Sequence, residues 1–259
     1  MFSKPAIDND IYNRYSDGWW SRDSFLNILE TAIQPLRSEY VRDCLSAIDL
    51  DKLNSLDIGC GGGIIAEDLA QFSASVTGVD ISLASLETAR SHAMQNGLDI
   101  KYIESPAESL PFKDNSFELV TCCDVLEHVD DVAKVISEVK RVLKPGGIFV
   151  YDTVNRTLMS YLAHIFIAQN FPLTRFMPKN THVWHKFIRP NELQNIFRDN
   201  GLSVKEEWGM EPSMNPISMV WYILKTKFMG LDFGRFGNKT KFVKSTNKSI
   251  SYLGYCIKH

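Results

Sequence analysis

At 259 residues, with 44% hydrophobic content and a formal net charge of -3, the chain can bury one full α/β core with additions, and its charge gives no reason to expect nucleic acid as a partner. Five cysteines, Cys44, Cys60, Cys122, Cys123 and Cys256, show neither paired metal spacing nor an even disulfide framework, which fits a reducing, cytoplasmic setting. The first residues lack the apolar core of a signal peptide, and no stretch reaches the roughly 18 uninterrupted apolar residues of a membrane span; peripheral membrane contact stays open.

Residues 1–50 carry apolar positions largely at helical spacing, among them Trp19, Trp20, Phe25, Leu29, Leu36 and Tyr40, and precede the first strand, so they read as a helical cap over the core. Pro35 starts a helix whose first turn holds Arg37, either a solvated charge or a cation facing a ligand carboxylate.

Residues 51–153 read as the ligand-binding core. Asn54 to Ile58 is a short apolar strand ending near Asp57, followed by Gly59-Cys60-Gly61-Gly62-Gly63 and a helical run from Ile64. Glycine is wanted in such a turn because positive φ is cheap only without a Cβ and a ligand can approach bare main chain. The third glycine of the dinucleotide pattern is replaced by Ile64 and no phosphate-loop lysine is present, so a pyrophosphate is disfavoured. The next strand, Ser75 to Asp80, closes on an acid about 20 residues after the glycines, where a carboxylate can accept both hydroxyls of a ribose. Together these point to a nucleoside without a phosphate chain.

The turn from Asp57 to Gly63 followed by Gly78-Val79-Asp80 resembles class I S-adenosylmethionine-dependent methyltransferases. That resemblance implies a seven-stranded, mostly parallel, doubly wound sheet. It also implies cofactor contacts from Asp57, Gly59 and Gly61, from Asp80 and Ile81, and from Ala107 and Glu108 in the loop after the third strand, Ile100 to Ile103. Many of those enzymes carry Asp where Pro106 stands here, leaving Glu108 or a backbone carbonyl for the adenine amine.

A fourth strand, Phe117 to Cys123, leads into Asp124, Val125, Leu126, Glu127 and His128. These follow a strand's carboxyl end, where α/β sheets bind ligands. Asp124, Glu127 and His128 form a possible ligand set for a divalent ion such as Mg that would hold a catecholate. Two other readings stand beside it: His128 as a general base oriented by an acid, and a helix-capping acid pair beside a satisfied histidine.

After a helix from Val132 to Leu143 and a strand from Ile148 to Thr153, residues 154–189 interrupt the alternation. Leu158, Met159, Leu162, Ile165 and Phe166 share one helix face, packed on the sheet, closing as a lid over a hydrophobic substrate, or dipping into lipid. Residues 190–259 return to the sheet with a strand at Leu202 to Trp208 and a last antiparallel edge strand from Ser249 to Cys256. Between them, residues 217–249 are basic with interleaved aromatics, facing either an anionic membrane or, folded inward, the core. The whole reads as one domain, 1–259.

Val125-Leu126-Glu127-His128-Val129, Asn155-Arg156-Thr157, and the run from Pro178 to Leu193 narrow the resemblance to the ubiquinone-biosynthesis O-methyltransferases, as do Trp19-Trp20 and Pro35-Leu36-Arg37. That family methylates a catechol hydroxyl on a polyprenylated ring and associates peripherally with membranes. The resemblance implies that Arg37, Gly59, Asp80 and Cys123 contact S-adenosylmethionine and that Asp124, where the family often has Glu, Glu127 and His128 bind metal. Residues 156–179 correspond to its lipid-facing segment, and 217–248 is a second candidate for membrane contact. The span from Ile217 to Ser249 is longer than the family's usual run, so a soluble natural-product acceptor, or a non-catalytic protein of the same fold, remains an alternative.

Overall fold

The computed structural model describes residues 6–45 and 53–259. The cap is less regular than its apolar spacing predicts: a single turn, α1 (Ile11–Arg14), then bends, then a π-helical turn at Leu29–Ile33 leading into α2 (Gln34–Cys44). Stacked aromatics, not a long helix, fill the space, with the Tyr12 and Trp19 rings 5.9 Å apart.

The core alternates as expected through β1 (Asn54–Ile58), α3 (Ile64–Leu69), β2 (Ser75–Asp80), α4 (Leu83–Gln95), β3 (Ile100–Glu104), β4 (Phe117–Cys123), α5 (Val132–Val142) and β5 (Leu143–Val154). The chain then runs through α6 (Leu158–Ser160), α7 (Pro190–Asp199), β6 (Leu202–Pro212), α8 (Pro216–Phe228), α9 (Phe233–Thr240), β7 (Phe242–Ser245) and β8 (Ser251–Lys258). Among the described residues the strands form one eight-stranded sheet in the order β3-β2-β1-β4-β5-β8-β6-β7. β1 to β5 are parallel, and β8, β6 and β7 join antiparallel.

Two expectations are corrected here. The sheet has eight strands, not seven, because Phe242–Ser245, inside the basic-aromatic stretch, pairs with the far half of β6. The final strand is not at the edge but between β5 and β6, where its buried Tyr252, Leu253 and Cys256 belong.

Alternation along the strands divides the core between two faces. Leu56, Ile58, Val120, Cys122, Phe149 and Tyr151 pack with Val135, Ile136 and Val139 of α5 and Leu193 and Phe197 of α7. Leu119, Ile148, Val150 and Val76 meet Leu36 and Tyr40 of α2, Ala66 and Leu69 of α3, and Leu86 and Ala89 of α4. Strand order reverses between β1 and β4, so a crevice opens above their carboxyl ends, the position such sheets use for ligands.

The insertion differs from an amphipathic helix laid on the sheet. α6 passes into a π-helix over Tyr161–Asn170; Ser160, Ala168 and Gln169 are buried while Leu158, Met159, Leu162 and Phe166 are exposed. The basic-aromatic stretch divides: Phe236 is buried, whereas Trp221, Phe228 and Met229 are exposed. No helix among the described residues is long and apolar enough to cross a membrane.

Candidate active site

One cavity of about 530 Å³ lies in the crevice, within the usual size for a small-molecule site. Arg37, Asp57, Gly59, Asp80, Ile81, Ala107, Glu108, Cys123, Asp124 and His128 all line it. Two sequence candidates do not: Gly61 lies under Trp19, and Glu127 is fully buried.

The glycine turn and Asp80 form one unit. Asp80 accepts from the Gly61 N–H at 2.9 Å and from the Ser82 N–H at 2.7 Å, so both carboxylate oxygens are fixed while lone pairs remain for a diol. Gly59 and Gly61 have φ of +69° and +50°, and a Cβ on Gly61 would stand 2.5 Å from the Trp19 ring. Trp19 is anchored through its Nε1–H to Ser85 Oγ at 2.9 Å. The glycines therefore admit an aromatic wall from the cap as well as a ligand.

Deeper in, Asp57 accepts from the Thr121 hydroxyl at 2.7 Å through Oδ1, while its buried Oδ2 lacks a partner among the described residues. Burial pushes this carboxyl up to about 7. Arg37 is 5% exposed and holds two acids. Its Nε and Nη2 donate to the Asp152 carboxylate at 2.6 and 2.9 Å, and Nη2 also donates to Asp124. Asp152 additionally accepts from the Asp124 N–H at 2.9 Å. A ligand carboxylate at Arg37 thus meets a guanidinium already committed to two anions, with Nη1 the group free of bonds to described residues. Asp152, at the end of β5, carried no motif and was invisible to sequence reading.

Asp124 sits at φ +54°, a left-handed conformation tolerated best by Asn and Asp. Turned toward Arg37, it leaves the expected trio. Glu127 accepts from the Thr153 hydroxyl at 2.8 Å through Oε2, and its Oε1 is buried without a described partner; burial first, then the Asp124 charge, pushes its carboxyl up to about 8. His128 is oriented by Asn9, whose Nδ2 donates to the His128 carbonyl at 3.1 Å. That fixes Asn9 Oδ1 as acceptor for the Nδ1–H, also at 3.1 Å. Nε2 is left as the acceptor, with the Tyr12 hydroxyl donating at 3.3 Å. His182 of the insertion lies alongside, ring centroids 5.3 Å from His128 and 5.1 Å from His164. Burial lowers the pKa of all three imidazoles, keeping them neutral at pH 7. Among the described residues, the donors grouped closely enough to share an ion are Glu127, His128 and His182, not Asp124. Tyr12 and Asn9 come from the cap and gave no sequence signal; His182 stood within the run from Pro178 to Leu193 without a role.

A doubly wound sheet with a glycine turn, a ribose-type carboxylate and a cavity at the switch point defines a class I S-adenosylmethionine-dependent methyltransferase. Residues 56–151 match the family model described as "Methyltransferase domain". The chain is 40% identical over 205 residues to the ubiquinone biosynthesis O-methyltransferase of Neisseria meningitidis serogroup C, covering 77% of this chain and 82% of that protein. It is 37% identical over 223 residues to the enzyme of that name from Saccharophagus degradans, covering 86% and 91%. The chain belongs to the ubiquinone biosynthesis O-methyltransferase family, and S-adenosylmethionine is its methyl donor. Among solved structures, the [4+2]-cyclase SpnF superposes with a TM-score of 0.63 at 17% identity over 99% of this chain and 97% of that one. This likeness shows the fold alone, since one fold hosts unrelated reactions.

Proposed function

We propose that this enzyme transfers the methyl group of S-adenosylmethionine to a catechol oxygen on a polyprenylated quinone precursor, the acceptor class that the relatives' names suggest. The observation that carries this is the continuity of the cavity: its lining runs from Gly59, Asp80 and Ala107 to Asp124 and His128. The adenosyl end lies against Asp80 and Ala107 in this reading, the methionine end beneath Arg37, Gly59 and Cys123, and the sulfonium methyl faces the Asp124–His128 wall.

Methyl transfer breaks the S–CH3 bond and forms an O–CH3 bond in line, and holding the acceptor at that angle supplies much of the rate. The acceptor must lose its proton. His128, neutral and presenting its one lone pair at Nε2, takes it where no ion is held there, and an ion on that lone pair would take over the role by favouring the ionised acceptor; the Tyr12 phenol at that nitrogen occupies the place of an acceptor phenol. Glu127, His128 and His182 fit a divalent ion, since Glu127 Oε1 and His182 Nδ1 are buried without described partners. Such an ion, when bound, supplies positive charge that stabilises a catecholate.

A polyprenyl tail favours an enzyme that works at a lipid surface. Leu158, Met159, Leu162, Phe166 and Leu173 of the insertion are exposed, as are Trp221, Phe228 and Met229 of α8 and its end. The two segments are tied together, with Lys227 Nζ donating to the Pro172 carbonyl and the Phe176 ring 5.9 Å from Phe233. In this reading those exposed residues, with Lys225 and Lys227 beside them, dock peripherally on anionic membrane.

Calorimetric titration with S-adenosylhomocysteine tests the cofactor end. Asp80→Ala should weaken binding about 10- to 100-fold, the worth of hydrogen bonds to a charged acceptor, and wild-type affinity in that variant would refute the assignment. Turnover of a prenylated catechol with labelled methyl donor tests the acceptor. Co-sedimentation with anionic liposomes that survives Leu162→Ser with Phe166→Ser and Trp221→Ser would remove the membrane reading.

A further inference from the structure

We propose that His182, carried by the lid insertion, is the third protein ligand of a divalent transition-metal site completed by Glu127 and His128, so that binding the ion fastens the insertion to the catalytic core. This inference rests on the methyltransferase reading above and names a donor that the fourth-strand motif does not contain. Three facts carry it. One donor atom from each of Glu127, His128 and His182 lies within 4.8 Å of the others. Two of these three residues hold buried polar atoms that have no described partner, Glu127 Oε1 and His182 Nδ1. Such orphans are uncommon because each costs on the order of 1–3 kcal/mol, and a shared cation answers both at once. Asp124, the acid that the sequence offers, is held by Arg37 instead.

The surroundings are those of a prepared ligand set. Asn9 fixes the His128 tautomer so that Nε2 carries the lone pair, and Thr153 holds the other Glu127 oxygen, the outer contacts that orient metal ligands. His182 is gripped through its backbone: its N–H donates to Gln169 Oε1 at 2.6 Å and its carbonyl accepts from Gln169 Nε2 at 3.1 Å. Gln169 is itself buried in the π-helical stretch. Two imidazoles and one carboxylate suit zinc or a neighbouring transition ion, whereas magnesium prefers an all-oxygen shell. Because Glu127 and His128 follow β4 while His182 stands some 54 positions later in the insertion, one ion would add a buried cross-link between two segments that are otherwise tied by Lys186, whose Nζ reaches the Val129 carbonyl at 2.8 Å and Asp130 at 2.6 Å.

The experiment uses tag-free full-length protein stripped with chelator, titrated with Zn2+ and separately with Mg2+, with S-adenosylhomocysteine binding measured on every variant as the check on folding and on the cofactor site. One Zn2+ should bind, at least tenfold tighter than Mg2+. His182→Ala should lose at least tenfold in Zn2+ affinity, and Asp124→Asn should stay within threefold. Zn2+ should also slow proteolysis within residues 156–179 in the wild type and not in His182→Ala. Undiminished Zn2+ affinity in His182→Ala, loss confined to Asp124→Asn, or no Zn2+ binding by protein that still takes S-adenosylhomocysteine would each overturn the inference while leaving the methyltransferase reading intact. Failure of the wild type to take S-adenosylhomocysteine would overturn both.

Discussion

Asp57 is the most direct test of the electrostatics of the site. It is 1% exposed, one oxygen accepts from Thr121 and the other has no partner among the described residues, so its charged form is poorly solvated and burial pushes the carboxyl from 3.8 up to about 7. A folded value above the unfolded one means that the folded state keeps its proton longer; stability is therefore full below about pH 4, falls as pH rises toward 7, and is level beyond. At 1.36 kcal/mol per tenfold change, the charge costs on the order of 4 kcal/mol above pH 7 and less than half of that at pH 5. Asp57→Asn retains an oxygen for Thr121 and cannot ionise. Its stability advantage over wild type should grow by about 2–3 kcal/mol between pH 5 and pH 8, roughly 5–10 °C in Tm for a domain of this size. Thermal melts of ligand-free protein across that range measure it. An advantage that is absent, or equal at both pH values, would show that Asp57 is solvated or paired and would refute the reasoning.

Gly61→Ala should drive Trp19 from its place, since the new Cβ would stand 2.5 Å from that ring at φ +50°. Calorimetry should show at least a tenfold loss of S-adenosylhomocysteine affinity, and adding Trp19→Ala should not deepen it, because contacting residues couple; additive losses would place the two apart. Phe197→Ala removes a fully buried ring lying 4.7 Å from Tyr151 and 6.0 Å from Phe149. It should cost about 3–5 kcal/mol in urea unfolding at an unchanged slope, and a cost below 1 kcal/mol would mean that α7 does not close that face of the sheet.

Local chemistry was readable where it repeats along the chain. The glycine turn, Asp80 and the apolar strands are set by short-range geometry, and they place the cofactor end of the cavity without knowledge of any distant contact. The reading was weaker where a residue's partner lies far along the sequence. β8 looks like an edge strand until β6 and β7 pair beyond it, and Phe242–Ser245 looks like loop because its ladder is supplied by Gly209 to Pro212. The apolar residues of the insertion keep a helical period, yet much of that face is left exposed, because which side meets the core depends on segments far along the chain.

The same division runs through the site. The order of residues along the chain determined that a carboxylate and an imidazole, Glu127 and His128, stand side by side after a strand, since adjacent positions stay adjacent in any fold. Which other groups join them was decided by tertiary structure alone. Arg37 reaches Asp124 and Asp152 from 87 and 115 positions away, because a buried guanidinium draws whatever acids the sheet edge presents. With Asp124 drawn off, the space beside Glu127 and His128 falls to a histidine from the insertion. A charge's partners follow from proximity in space, and proximity in space is what folding adds to the sequence.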